Sequence, residues 1–350
     1  MRTSGAPGTQ ARSGFLREAR RWLPGALISI LLIGGILYFV DLPRVFSAIR
    51  AADYGLLAAA TVLAFAWMFV RAIVWRTLLQ NRPPYRATML ALSEGYLLNN
   101  FLPFRLGEIG RAFLLSRKTD LSFSQILPSI VIERAVDLFF SAIIFLGALP
   151  FVVGAGGSEG IAVLLGALIL FGLAVLYILA RNQRWALDLF HRWSARWPAL
   201  QHHGGSLLES FLTGLAALTD GWLFTRFLFW MSINWCMAIL NYYLIIRAFF
   251  PQAEWVWGMF GLGAAAFGGA VPSLPGAVGT FEGAFGGALT LLTRDQSTSL
   301  AVALMARFFN YLTSIVLGGY ALSREGQTLS GIYQQLIKFR SKAEAHDPAV

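Results

Sequence analysis

Six apolar stretches, each long enough to cross a bilayer as a helix, dominate this chain: Leu23–Val40, Tyr54–Leu79, Ile126–Pro150, Ile161–Ala180, Trp222–Phe250 and Leu300–Leu322. About 20 helical residues span the hydrocarbon core, where no water is on hand to satisfy backbone amides, so segments of this kind cross as helices. With 57% hydrophobic residues, 13% charged and a mean hydropathy of +0.61, a soluble globular fold is excluded. The fold expected is an all-α integral membrane protein. Its membrane domain runs over residues 23–322, between a basic tail at 1–22 and another at 323–350.

Two places break this pattern. Between the second and third crossings stands Asn99-Asn100-Phe101-Leu102-Pro103-Phe104-Arg105-Leu106-Gly107-Glu108-Ile109-Gly110-Arg111. A charge near the middle of a bilayer costs about 2.5–3.5 kcal/mol on insertion scales, so such groups face a protein interior or a wet cavity. The second break is Pro272-Ser273-Leu274-Pro275-Gly276, followed by Gly279 and Glu282. Proline removes a donor and clashes with the preceding turn, so neither helix continues through.

The arginines orient the chain. Net charge is +10 and almost all of it is arginine, because the lysines are Lys118, Lys338 and Lys342 alone. Basic residues gather on the cytoplasmic side of membrane proteins. Placing Arg76, Arg82, Arg86, Arg111, Arg117, Lys118 and Arg181–Arg196 there requires residues 87–115 to enter and return as a broken hairpin. The second break then forms a hairpin entering from the opposite face. The result is six full crossings and two re-entrant hairpins, with both termini cytoplasmic, a pattern that suggests an inverted repeat. Pro103, Gly107 and Arg134 are separated by 4 and 27 positions; Pro275, Gly279 and Arg307 are separated by 4 and 28. Transporters use such halves to build a site at mid-membrane. The loop 181–221 carries Ala186, Leu189, Phe190, Trp193 and Trp197 on one helical face, as in a helix lying on the membrane surface.

The candidate substrate-binding and translocation residues are Asn99, Asn100, Arg105, Glu108, Glu133, Arg134, Asp137, Glu282, Arg307 and Asn310. The candidate breaks and hinges are Pro103, Gly107, Pro272, Pro275, Gly276 and Gly279. Arginine's planar fork matches phosphate or carboxylate, so Arg134 is either a headgroup ligand or the partner that locks Glu108 or Asp137. Glu282 needs a partner from elsewhere, Arg307 or Arg134. Glu94, Asn234 and Asn241 are second-rank candidates, Arg111 is either a site residue or a snorkelling one, and Arg71 is expected to snorkel to the nearby cytoplasmic surface. No nucleotide-binding loop, zinc motif or nucleophile elbow is present, and no metal site or cofactor is expected.

The runs N-N-x-x-P-x-R-x-G-E-x-x-R, E-R-x-x-D, P-x-x-P-G-x-x-G-x-x-E and R-x-x-N, spread over Leu23–Leu322, resemble the flippase-like transmembrane family that includes the membrane half of bacterial lysylphosphatidylglycerol synthase. The resemblance implies a non-enzymatic, lipid-translocating domain of a bacterial-type inner membrane. It would move a lipid with an anionic or aminoacylated headgroup between leaflets. Family members that aminoacylate lipid continue into a soluble domain; for this sequence, ending at Val350, the expectation is translocation alone. The rival readings are a membrane transferase acting on a lipid-linked substrate and a scaffold for lipid-synthesis partners. A homo-oligomer is compatible with all of these, and nucleic acid is not an expected partner.

Overall fold

The computed structural model describes residues 40–102, 106–153, 181–195, 220–271 and 275–328, with isolated positions outside these ranges. The readings placed on Pro103, Arg105, Pro272, Trp197, both tails and the crossings Leu23–Val40 and Ile161–Ala180 lie wholly or mainly outside the described residues. The described elements are helical: α1 Leu42–Ala51, α2 Tyr54–Leu78, α3 Tyr85–Phe101, α4 Leu106–Lys118, α5 Phe123–Val153, α6 Gln183–Ser194, α7 Gly221–Phe249, α8 Trp255–Ala270, α9 Thr280–Thr293 and α10 Gln296–Arg324. Four of them, α2, α5, α7 and α10, are long and apolar enough to cross a membrane. They match four of the six crossings expected, to within a few residues. Helix α1 has no counterpart in the sequence reading, although Asp41 capping it and Pro43 in its first turn are ordinary start signals.

Helix starts explain themselves chemically. Asp53 accepts from Gly55 and Leu56 at the head of α2, Asp220 from Trp222 at α7, and Asp295 from Thr298 at α10. Each satisfies donors that the first helical turn leaves unpaired.

Packing follows a reciprocal pattern. Helices α2 and α7 run antiparallel, since the Asp53 amide donates to Ala248 and the Asn241 side chain donates to the Ala60 carbonyl. Helices α3 and α4 fold back on one another as a hairpin, and so do α8 and α9. The first limb of each hairpin packs on the last crossing of the other half: α3 on α10, and α8 on α5. Because α3 begins where α2 ends and α8 begins where α7 ends, the hairpins open at opposite ends of the antiparallel α2–α7 pair. Each end has its own apolar core. One gathers Met68, Trp75, Leu92, Leu98, Leu114 and Ile126; the other gathers Leu57, Ile246, Phe281, Phe285, Val302 and Phe309.

Close backbone contact holds the first hairpin together. A Cβ placed on Gly107 would lie 2.1 Å from the Gly95 carbonyl oxygen and 2.5 Å from Asn99 Oδ1, so only glycine fits. Gly107→Ala is therefore expected to destabilise the protein by about 1–3 kcal/mol through overpacking. A lowered melting temperature of the purified variant in detergent would show it, and an unchanged one would contradict this tight seam.

Candidate functional site

Between the two apolar cores lies a cavity of about 620 Å³. Ala64, Trp67 and Met68 line it from the middle of α2, Arg134 from the middle of α5, Ala238 and Asn241 from α7, and Arg307 and Asn310 from the middle of α10. Both hairpin breaks reach it: Asn99, Asn100, Leu102 and Glu108 on one side, Pro275, Gly276 and Ala277 on the other. Of the ten candidate binding residues, Asn99, Asn100, Glu108, Arg134, Arg307 and Asn310 line this one space. Glu133 and Asp137 stand behind it, Glu282 beneath Arg307, and Arg105 lies outside the described residues.

Three arginines and three carboxylates form a network on the first-half wall. Glu133, with no exposed surface, is its hub: it pairs with Arg71, with Arg111 at 3.0 Å and with Arg134 at 2.9 Å. Arg71 also meets Asp137 at 2.9 Å through Nη1, and Arg111 meets Glu108 at 2.7 Å. Arg134 lies 3.3 Å from Asp137 and 3.7 Å from Glu108. Indole rings back two of these cations, Trp75 lying 4.7 Å from Arg111 and Trp67 5.8 Å from Arg71. Exposure orders the set. Arg71 and Arg111 are 2% exposed and Arg134 is 30% exposed, so Arg134 is the arginine of this network open to the cavity.

Arg71 does not snorkel. It points inward from α2 to α5, because two acids one turn apart on α5 offer its fork better partners than the membrane surface. Arg111 is resolved in the same way, as a buried network member. Sequence reading left Arg111 open and misassigned Arg71, although an arginine inside an apolar run is the standard signal of an interior partner.

The second-half wall is built around a tight turn. Pro275–Ala277 form a tight turn, with Gly276 at φ 70°, Ala277 at φ 56° and Gly279 at φ 89°. A Cβ on Gly276 would stand 2.4 Å from the Tyr311 hydroxyl, so this position needs glycine for both its backbone and its space. Arg307 fastens the turn. It donates to Glu282 at 2.6 and 3.0 Å, to the Ala277 carbonyl at 2.9 Å and to the Gly276 carbonyl. Glu282 in turn accepts from the Gly279 amide at 2.8 Å, capping α9. The partner of Glu282 is thus Arg307 and not Arg134. Asn310, one turn on, lines the cavity together with Tyr242.

The second-rank candidates divide. Asn241 lines the cavity while bonding the Ala60 carbonyl at 2.6 Å, Asn234 is buried in α7, and neither is near the charged network by any contact described. Glu94, fully buried on α3, meets Lys118 at 2.8 Å, and Lys118 also meets Glu325 beyond the end of α10. That cluster ties the first hairpin to the last crossing. A separate groove of about 530 Å³ between α6 and Val175, Ile178 and Leu179 is wholly apolar; Leu189 and Trp193 of α6 are exposed beside it. Among the described residues no group of three or more His, Cys, Asp or Glu is placed to hold a metal ion.

A family model described as the lysylphosphatidylglycerol synthase TM region matches residues 23–318, which takes in both hairpins and the whole cavity. A UPF0104 membrane protein of Methanothermobacter thermautotrophicus is 22% identical over 329 residues, covering 90% of this chain and 97% of the relative. A second UPF0104 membrane protein, from Methanocaldococcus jannaschii, is 26% identical over 231 residues, covering 63% of this chain and 91% of the relative. No solved structure gives a significant match.

Proposed function

The chain belongs to the lysylphosphatidylglycerol synthase transmembrane family, and from that premise we propose that it is a lipid translocator, acting on a polar headgroup and not as an enzyme. One observation carries the reading: a cavity of about 620 Å³ at mid-height of four helices long and apolar enough to span, lined in part by charged and amide side chains and walled by two helix breaks that face each other from opposite hairpins. Broken helices at membrane depth are tolerated where they line a water-filled space, and that is where translocated headgroups travel.

In this reading the hairpins are re-entrant and the halves form an inverted repeat. The reciprocal packing of α3 on α10 and α8 on α5 supports it, as does the matching layout of an acid on each hairpin's second limb facing an arginine on the next crossing, Glu108 with Arg134 and Glu282 with Arg307. The headgroup would pass through the cavity while acyl tails stay in lipid. The arginine distribution supports cytoplasmic termini, and a bacterial-type inner membrane is the location proposed with them.

Arg134→Ala tests the route. Because Arg134 is the open member of its network, its removal is expected to leave the protein folded while slowing movement of a fluorescent phospholipid across proteoliposomes by about ten-fold or more. Equal rates with a normal elution profile would remove the cavity wall from the mechanism.

A further inference from the structure

We propose that the apolar groove beside α6 holds an acyl chain of an anionic phospholipid from the adjoining leaflet, with Arg184 and Arg192 on its headgroup. The site shares no lining residue with the central cavity, and the proposal stands whether or not the protein moves lipid. Helix α6 is divided lengthwise into three rows, because residues four apart share a helix face. Ala186 and Ser194 are buried and Phe190 is half-buried between them, and Ala186 joins an apolar core with Ile132 of α5 and Phe227 of α7. Trp185, Leu189 and Trp193 form the next row and are 55, 52 and 64% exposed. Arg184, Asp188 and Arg192 form the third, all of them exposed. A helix that merely connected two crossings through water would need only an inward row and a polar one. The exposed apolar row calls for an apolar medium.

The groove says which medium. Between that row and Val175, Ile178, Leu179 and Leu208 it encloses about 530 Å³ and is wholly apolar. A peptide segment laid in it would bring a donor and an acceptor at each residue and find no partner for either, whereas a hydrocarbon chain has nothing to satisfy. Helix α6 also begins immediately beyond the apolar run Ile161–Ala180, at the level where headgroups lie and where indole rings are favoured. Charge sets the sign of the lipid. In the row next to the groove two arginines stand against one aspartate, with His191 beside them, and neither arginine has an ion pair among the described residues. Two arginines at a lipid surface are expected to favour an anionic over a zwitterionic phospholipid by about ten-fold or more.

The test reconstitutes the full chain in phosphatidylcholine vesicles that carry, as a minor component, either phosphatidylglycerol or phosphatidylcholine brominated in its acyl chains, and reads quenching of tryptophan fluorescence. Trp185 and Trp193 are the reporters, their signal isolated in each background by subtracting that of the Trp185→Phe/Trp193→Phe form. Brominated phosphatidylglycerol is expected to quench them at least about three-fold more than brominated phosphatidylcholine at the same mole fraction, since quenching saturates below the full ratio of affinities. Arg184→Gln/Arg192→Gln should abolish that excess while leaving the weaker quenching by phosphatidylcholine. Leu189→Asp, which sets a charge on the groove wall, should reduce quenching by both lipids several-fold. All of these positions are exposed, so the melting temperature of each variant in detergent should match the parent. Equal quenching by the two lipids in the parent would overturn the proposal, because ordinary contact with surrounding lipid would then suffice. An excess that survives loss of both arginines would overturn the headgroup assignment, and undiminished quenching in Leu189→Asp would overturn the groove. Reporters that neither lipid quenches would show the groove closed to lipid, covered by protein instead.

Discussion

Glu133→Gln is expected to destabilise the protein by about 3–5 kcal/mol, the cost of leaving buried charge without its partner. The argument is one of neutrality. Glu133 has no exposed surface and serves Arg71, Arg111 and Arg134 together. Without its charge, three guanidinium groups share Asp137 and Glu108, and two of those groups have no route to water. A melting curve of the purified protein should shift down by about 5 °C, taking the usual scaling between free energy and midpoint for a chain of this length. The double variant Arg71→Met with Glu133→Leu makes the test sharper. It removes one charge of each sign, leaves Arg111 on Glu108 and Arg134 on Asp137, and is expected to recover most of the loss, since apolar replacements of buried pairs are often neutral or stabilising. A Glu133→Gln protein as stable as the parent would mean that this network does not hold the helices together.

The same network marks the boundary of what could be read from the chain. The crossings were legible because apolar length is a one-dimensional property, and α2, α5, α7 and α10 lie where the apolar runs do. The breaks were legible because proline and glycine act locally, and Gly276 and Gly279 do adopt positive φ. Partner choice was not legible, because it depends on which face of a helix turns to which neighbour. Arg71 sits about two turns from the end of α2, close enough to the surface for snorkelling, and only the packing of α2 beside α5 turns it inward. Glu282 had two arginines open to it in sequence, and the tight turn at Pro275–Ala277 decides for Arg307 by placing two carbonyls in reach of the same fork. The aromatic lining was missed for a similar reason: Trp67, Tyr96, Tyr242 and Tyr311 are scattered over four helices, and nothing in their spacing says that they share a cavity.

Arg307→Lys is the substitution expected to separate charge from geometry. A lysine keeps the ion pair with Glu282 but is a point donor, and it cannot also reach the carbonyls of Gly276 and Ala277 in the fork-like manner of a guanidinium. Two buried carbonyls then lose their donor, at about 1–3 kcal/mol for each unsatisfied group, and the turn that forms one cavity wall loosens. Lipid exchange should fall by at least about ten-fold in this variant, with Glu282 still capping Gly279 and the melting temperature falling less than in Glu133→Gln. Arg307→Ala should do worse on both readouts, because Glu282 is then left buried and unpaired. Glu282→Gln and Arg307→Ala act on one unit, so the double variant should be little worse than either alone. Wild-type exchange by Arg307→Lys would show that the turn needs charge and not shape, whereas additive losses would show that the glutamate and the arginine serve the cavity separately.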